Sequence, residues 1–323
     1  MADGKWIDGL ASDMPLPSAA RHVLGIRLHV VREYLPKAIH EARDDIEIVH
    51  QLRVATRRAD AALRIFAACF PRKEYRRARK RLRKIRRAAG AARDWDVFLE
   101  DVHERRQLST RPEQAGFDGL AGYALGRRRV AQQQLEEVGL EEEPGFERFM
   151  DCLLKAARRP HGVKASLSLI EQGRLMLAGR LHKLEAAASE HLTDYANLHR
   201  VRIEGKRLRY AMEVFADCFP AEFREELYPQ IEAMQEVLGK ANDSHVAVGE
   251  IAALREHLKR ARPVEWKHWQ PGVTSLLRFH QRRLPQERRR FLKLWQQWHR
   301  PETESLWECL LSEEAAAARS ARA

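Results

Sequence analysis

Histidine and basic residues recur at one spacing in two distant stretches of the chain. The stretch VHQLRVATRRADAALRIFAACFP begins at residue 49 and LHRVRIEGKRLRYAMEVFADCFP begins at residue 198, so each position has a counterpart 149 residues later. Both stretches carry the pattern His-x-x-Arg-x-x-x-Arg/Lys, at His50, Arg53, Arg57, His199, Arg202 and Lys206. Arginine presents a planar fork to phosphate oxygens, lysine a mobile charge and protonated histidine a further donor. The repeated pattern therefore predicts contacts with phosphate groups.

The first stretch separates its basic and apolar residues on opposite sides of a predicted helix. At about 100° per residue, Leu52, Ala59 and Phe66 gather on one side, and the basic stripe on the other side continues to Arg64. Surface positions accept almost any polar residue, so a stripe present in both copies favours a repeated function. Arg58 and Arg207 stand beside the stripes and, taken singly, fit an ordinary solvated surface.

The helix after the first motif is strongly basic. Residues 72–88 hold eleven basic side chains and a single acid, for a local charge of +10. An ordinary exposed helix mixes acids with bases, so this excess predicts an anionic partner. The candidate contacts are Arg76, Arg79, Lys80, Arg83 and Arg87. The equivalent residues 221–237 carry −4, and we therefore expect the first half of the chain to provide most of the binding free energy.

The elements that position these residues are predicted to be helices throughout. Apolar residues recur at i, i+3, i+4 and i+7, and runs that alternate like strands are missing. The pattern predicts helices at about 18–40, 46–69, 72–89, 95–108, 113–137, 146–158, 166–192, 195–218, 221–238, 244–260 and 269–298. The 149-residue offset also relates candidate helix ends, with N-caps at Asp45, Asp94, Asp194 and Asp243 and C′ glycines at Gly90 and Gly239. We expect two pseudo-symmetric antiparallel helical bundles from an internal duplication.

Composition narrows the class of partner. The chain has 323 residues, a formal charge of +12 and a pI of about 9.8, which favours an anionic ligand. None of the four cysteines forms a CxxC pair, and Cys69 and Cys218 occupy equivalent positions that fit apolar packing. The first residues lack a signal-peptide pattern and no apolar run approaches a membrane span, so we expect a cytoplasmic protein with no membrane contact.

The motifs together resemble a known family. VHQLRVATRR followed by AAGAARDWDV, and LHRVRIEGKRLRY followed by LGKANDSHV, are similar to the conserved histidine alpha-helical domain, CHAD, over roughly residues 17–300. The resemblance implies one CHAD domain with halves at about 17–158 and 166–299, between a leader at 1–16 and an Ala-rich tail at 301–323. It also implies a basic groove shared by both halves that binds inorganic polyphosphate, often at intracellular polyphosphate granules. The matching positions are His50, Arg53, Arg57 and Arg58 in the first motif and His199, Arg202, Lys206 and Arg207 in the second.

Three other functional hypotheses compete with polyphosphate binding. Nucleic acid is the strongest, since any dense polyanion releases counterions on binding. Single-strand binders need aromatic platforms, and the stripes offer only Tyr210 and Tyr75, because Trp266, Trp269, Trp295 and Trp298 fit packing positions. A hydrolase is less favoured, because no glycine-rich phosphate loop or acid cluster is visible. No two histidines stand three or four residues apart, so we predict neither a metal site nor a cofactor.

Overall fold

A computed structural model describes residues 5–43, 45–158 and 167–312. Within these ranges the regular structure is helical and contains no strand, as the periodicity predicts. The α-helices are α1 (Leu16–His40), α2 (Glu47–Ile65), α3 (Arg72–Gln107), α4 (Arg111–Glu142), α5 (Phe146–Lys155), α6 (Leu169–Ala188), α7 (Tyr195–Phe215), α8 (Tyr228–Ala261), α9 (Pro263–Trp298) and α10 (Pro301–Leu311). None of the helices described is both long enough and apolar enough to span a membrane.

Two helix breaks expected from the sequence are wrong. Gly90 and Gly239 lie inside the continuous helices α3 and α8, so the segments expected at 72–89 and 95–108, and at 221–238 and 244–260, are fused. The apolar seam of α3 continues through Ala89, Ala92 and Phe98, all buried. Its packing outweighs the cost of about 1 kcal/mol that a glycine adds to a helix interior. Asp94 and Asp243 are consequently mid-helix residues, not N-caps.

Of the other two candidate caps, Asp194 is the N-cap of α7, whereas Asp45 lies one residue before the N-cap of α2, Ile46. The Asp194 carboxylate accepts a hydrogen bond from the backbone N–H of Ala196, and that of Asp45 accepts one from the N–H of Glu47, each at 2.9 Å. Both bonds lie at the start of a motif helix and satisfy backbone donors that have no partner in the first turn. The side-chain bonds therefore repeat at the two helix starts, but only Asp194 occupies the N-cap position itself.

The hydrophobic core divides into two clusters. The larger cluster is built around α1, α2, α6 and α7 with the first halves of α3 and α8. The smaller one joins the far ends of four long helices, with Phe98 from α3, Phe117 from α4, Ile251 from α8 and Val273 from α9. There α3 packs on α4, α8 on α9 and α4 on α9. The space between α3 and α8 is left open beside α2 and α7.

The crossing of α4 and α9 depends on two glycines. A methyl group at Gly116 would overlap with the carbonyl oxygen of Trp269, and one at Gly272 would overlap with that of Glu113. The Trp269 indole then lies against Gly119, one turn further along α4. The two backbones approach closely enough only because both positions lack a side chain.

Both ends of the described chain pack on the larger cluster. Within the segment assigned to the leader, Ile7 and Leu10 are buried. Within the segment assigned to the tail, α10 buries Trp307 and Leu310, and Trp307 contacts the rings of Phe223 and Trp298. Residues 313–323 lie outside the described residues.

Candidate anion-binding groove

The two motif helices lie side by side and line one groove. Phe66 and Phe215, at equivalent positions near the ends of α2 and α7, bring their ring centroids within 6.4 Å. On the groove side, the helices line a first cleft of about 400 Å³ with His50, Arg53, Arg57, Arg202 and Lys206. Five of the six motif residues are thus brought together from positions about 150 residues apart in the chain.

Helices α3 and α8 add both basic and acidic side chains to the first cleft. They contribute Arg93 and four carboxylates, Asp94, Asp101, Asp243 and Glu250, which are again related by the 149-residue offset. Arg53 donates to the Asp94 carboxylate at 3.1 Å. Burial raises the pKa of Asp101 to about 6 and also raises that of Glu250. From the sequence, Asp94 and Asp243 are equivalent residues that were expected to cap helices. The four carboxylates, which form an acidic wall of the first cleft, were therefore not expected.

A second cleft of about 180 Å³ continues the groove between α2, α3, α6 and α7. It is far more basic than the first, because six arginine and lysine side chains face a single carboxylate, Asp60. The six are Arg57, Arg64, Arg86, Arg180, Lys206 and Arg207. Arg57 and Lys206 line both clefts, which makes the groove continuous. Arg86 lies in the basic helix that the sequence predicts to meet an anion but was not among the candidate contacts, and Arg180 belongs to no motif.

Arg58 does not belong to the groove, so its assignment as a phosphate ligand is wrong. Its side chain is only 5% exposed, and its Nε donates to the carboxylate of the fully buried Glu213 at 2.9 Å. Arg209, at 2.9 Å, and Arg27, at 3.6 Å, approach the same carboxylate, and the Tyr228 hydroxyl donates to it at 3.0 Å. Arg58 is one helical position from Arg57, and that rotation of about 100° turns it from the groove into the interior.

Asp60 organises the basic residues next to the second cleft. Its carboxylate accepts hydrogen bonds from Arg64 at 2.7 Å, Arg79 at 2.8 Å and Arg86 at 3.2 Å. Burial alone would raise the pKa of Asp60, but the bonds from Arg79 and Arg64 outweigh it and hold the pKa below its usual range. Arg64 and Arg86 are therefore held at the cleft, whereas Arg79 does not line it.

The charge of the basic half of α3 is partly neutralised. Arg81 pairs with Glu142 at 2.6 Å, and Lys84 pairs with Glu141 and Glu142 of α4. Four predicted contact residues are exposed and form no ion pair with a described residue, namely Arg76, Lys80, Arg83 and Arg87. They line neither cleft, but they lie on the helix that supplies Arg86, so they extend the basic surface beyond the groove.

The two motif histidines differ in their surroundings. His50 lines the first cleft, where burial lowers its pKa and the neighbouring arginines lower it further. His199 lines neither cleft and lies within 3.2 Å of the Asn242 side-chain oxygen, to which Tyr195 also donates at 3.0 Å. Tyr195 in turn stacks on His245, with ring centroids 3.3 Å apart. His199 thus belongs to a polar cluster at the edge of the groove.

Lys206 is the most strongly perturbed cation of the groove. Burial lowers the pKa of its amine to about 6, and four guanidinium groups reinforce the effect, those of Arg202, Arg57, Arg209 and Arg53. The pKa values of Arg53 and Arg202 are also lowered, mainly by burial. The groove therefore holds more basic than acidic side chains, most clearly in the second cleft, and this excess is the condition for binding an anion.

The aromatic and sulfur-containing residues agree with packing roles. Trp266 and Trp298 are buried, and Trp269 and Trp295 pack against the core clusters. Cys69 and Cys218 are buried, and burial raises the pKa of each thiol to about 11. Among the described histidines, cysteines and acids, no group of three or more is arranged to hold a metal ion.

Comparison with known proteins agrees with this architecture. A family model described as CHAD domain matches residues 23–252, more than half of the chain. The crystal structure of the CHAD domain from the plant Ricinus communis is similar at 25% identity and a TM-score of 0.65, covering 89% of this chain and 95% of that one. PptA from Streptomyces chartreusis is similar in fold, with 16% identity, a TM-score of 0.68 and coverage of 88% and 100%. The comparison with curated proteins gave no match.

Proposed function

The chain belongs to the CHAD domain family, and from that premise we propose that it binds inorganic polyphosphate in the groove between α2 and α7. One observation carries the proposal. Arg57 and Lys206, equivalent residues of the two motifs, line both clefts and join them into a continuous basic path. A linear polymer with one charge per unit can follow such a path, because each phosphate meets another arginine or lysine.

The distribution of charge suggests where the polymer is held most firmly. In the first cleft, Arg53, Arg57, Arg93, Arg202 and Lys206 face four carboxylates, whereas the second has six cations and only Asp60. A polyanion gains more in the second cleft and is repelled by the acidic wall of α3 and α8 in the first. We propose that the polymer lies against α2 and α7 and leaves the second cleft over the exposed arginines of α3.

We propose that the protein binds polyphosphate without cleaving it, at polyphosphate granules as well as in solution. The chain contains no GxxxxGK[ST] phosphate loop. The arginine and lysine side chains that line the groove can bind a phosphate chain through their positive charge. Purified protein incubated with long-chain polyphosphate and Mg²⁺ should leave the chain length unchanged on a gel. Shortening that is abolished by Asp94→Asn or Asp243→Asn would contradict this part of the proposal.

Competition between polyanions tests the ligand. Labelled polyphosphate would be displaced by unlabelled polyphosphate, tRNA or duplex DNA at equal phosphate concentration over a series of salt concentrations. We expect polyphosphate to compete best, with an affinity that falls steeply as salt rises. Tyr210 lines the second cleft but is only 8% exposed, which leaves little of its ring free to stack on a base. Equal or better competition by tRNA at the same ionic strength would favour the nucleic-acid alternative instead.

A further inference from the structure

The amine of Lys206 differs in its surroundings from other lysines of the described chain. Lys37, Lys84 and Lys240 each lie against a glutamate, at 2.7 Å for Lys37 and 2.5 Å for Lys240. Those glutamates raise the pKa values of Lys37 and Lys84. Lys206 forms no hydrogen bond or ion pair with any described residue, yet it lines both clefts of the groove.

From this arrangement we propose that Lys206 is a nucleophilic amine that condenses with a small aldehyde carrying a phosphate group. Arg57 and Arg202 line the same cleft and can hold the phosphate, and a cleft of about 400 Å³ has room for a small phosphorylated molecule. This chemistry goes beyond the binding of a phosphate polymer.

The condensation requires no co-reactant. The lone pair of the Lys206 nitrogen attacks the carbonyl carbon and forms a C–N bond. Both amine protons leave with the carbonyl oxygen as one water molecule, and a C=N double bond replaces C=O. No electron is gained or lost, so the product is a Schiff base that water can hydrolyse again.

The electrostatics favour this reaction at neutral pH. Only an unprotonated amine is nucleophilic, and a lysine in a cationic, desolvated site is activated in this way. The amine, whose pKa is about 6, is therefore largely unprotonated at pH 7, whereas an ordinary lysine near 10.4 is almost fully protonated. The charged and titratable groups that line the clefts around it are Arg53, Arg57, Asp60, Arg64, Arg86, Arg93, Asp94, Asp101, Arg180, Arg202, Arg207, Tyr210, Asp243, Glu250 and His50.

Reductive labelling with pyridoxal 5′-phosphate tests the proposal on the full chain. After borohydride reduction, peptide mass mapping gives the rate of modification of every lysine. We expect Lys206 to react at least about ten-fold faster than Lys240 at pH 7, because burial and the neighbouring arginines leave the Lys206 amine largely unprotonated. Pyridoxal lacks the phosphate. It should therefore react more slowly than pyridoxal 5′-phosphate at Lys206, whereas the two compounds should react at the same rate at Lys240. Labelling at Lys206 no faster than at Lys240 would overturn the proposal.

The variant Lys206→Arg provides a second test. It removes the reactive amine and places a permanent cation in the groove, so the fast phase of labelling should disappear while circular dichroism stays unchanged. Retention of that phase would overturn the proposal. Polyphosphate added before the aldehyde separates this inference from the proposed function. Fast labelling that polyphosphate does not slow would leave the reactive amine in place and count against polymer binding in the groove.

Discussion

At the scale of single residues, the groove contains two groups whose protonation should respond to an anion. Lys206 and His50 both have lowered pKa values in the free protein, in each case mainly through burial. A polyanion offsets the repulsion from the surrounding arginines and should raise both values. Polyphosphate binding is therefore expected to take up protons.

The sign of the pH dependence follows from linkage. Below the free pKa of about 6, Lys206 is already protonated and adds no pH dependence to the affinity for polyphosphate. Above it, binding requires proton uptake, so affinity should fall as pH rises from about 6 to 8, by up to about ten-fold per pH unit for each proton. Dissociation constants at fixed ionic strength measure this slope. Lys206→Arg, which stays charged, should flatten the slope, and an unchanged slope would exclude Lys206 as the titrating group.

Arg58 and Arg207 form a matched pair for stability and binding, because they occupy equivalent positions. Arg58→Ala should destabilise the fold by about 2–3 kcal/mol in urea unfolding. That is less than the 3–5 kcal/mol for a lone buried ion pair, since Arg209 and Arg27 still compensate Glu213. Arg207→Ala, at an exposed position, should change stability by less than about 0.5 kcal/mol but weaken polyphosphate binding. Equal stability losses would contradict the buried network.

At the scale of helices, the exposed face of α3 should extend the binding surface. The double variant Arg83→Glu with Arg87→Glu should weaken polyphosphate binding and reduce its salt dependence, because both side chains are exposed and free of ion pairs with described residues. Arg282→Glu with Arg289→Glu changes the net charge equally on α9, away from both clefts, and should have a smaller effect. Similar losses in the two variants would indicate attraction by total charge alone.

The α4–α9 crossing gives a second prediction at this scale. Gly116→Ala should destabilise the protein by about 1–3 kcal/mol, because the added methyl group meets the backbone of α9. Gly122→Ala, in the same helix with open space around it, should stabilise by about 0.5–1 kcal/mol through helix propensity. Thermal unfolding of both variants measures the difference. A Gly116→Ala variant as stable as Gly122→Ala would contradict the close crossing.

The helices could be predicted from the sequence because apolar periodicity is a local pattern, whereas the groove shared by the two motifs was expected from the family resemblance. Whether Gly90 ends a helix could not, since it depends on the packing of Ala89 and Ala92 on both sides of it. Arg57 and Arg58 differ by one position, and only their tertiary neighbours show that one faces the groove and the other Glu213. Arg86 is one of eleven basic residues in the first part of α3, and Arg180 lies in a helix without a motif, so no spacing could single them out.

At the scale of the whole molecule, the excess of positive charge in the groove should make salt act in two opposite ways, on the stability of the free protein and on polyphosphate binding. Raising salt from about 20 to 200 mM should increase the melting temperature of the free protein, because it screens repulsion between α2 and α7. The same change should weaken polyphosphate binding and so reduce the stabilisation that the ligand provides. Melting curves with and without polyphosphate at both salt concentrations would show converging values. A free protein destabilised by added salt would contradict this account.

The buried network of Glu213 also determines whether one half of the chain could replace the other. Asp60 and Arg64 are paired in α2, whereas the equivalent residues of α7, Arg209 and Glu213, are paired with the charges in reverse order. Glu213 receives Arg58 from the other half. If two copies of the first half were joined, an arginine would replace Glu213 next to Arg58 in the interior. The only carboxylate brought in with it would be the counterpart of Asp60 at the position of Arg209, which already pairs with that arginine. A chain built from two copies of the first half should therefore fail to assemble. The buried charges make each half specific for the other as its partner.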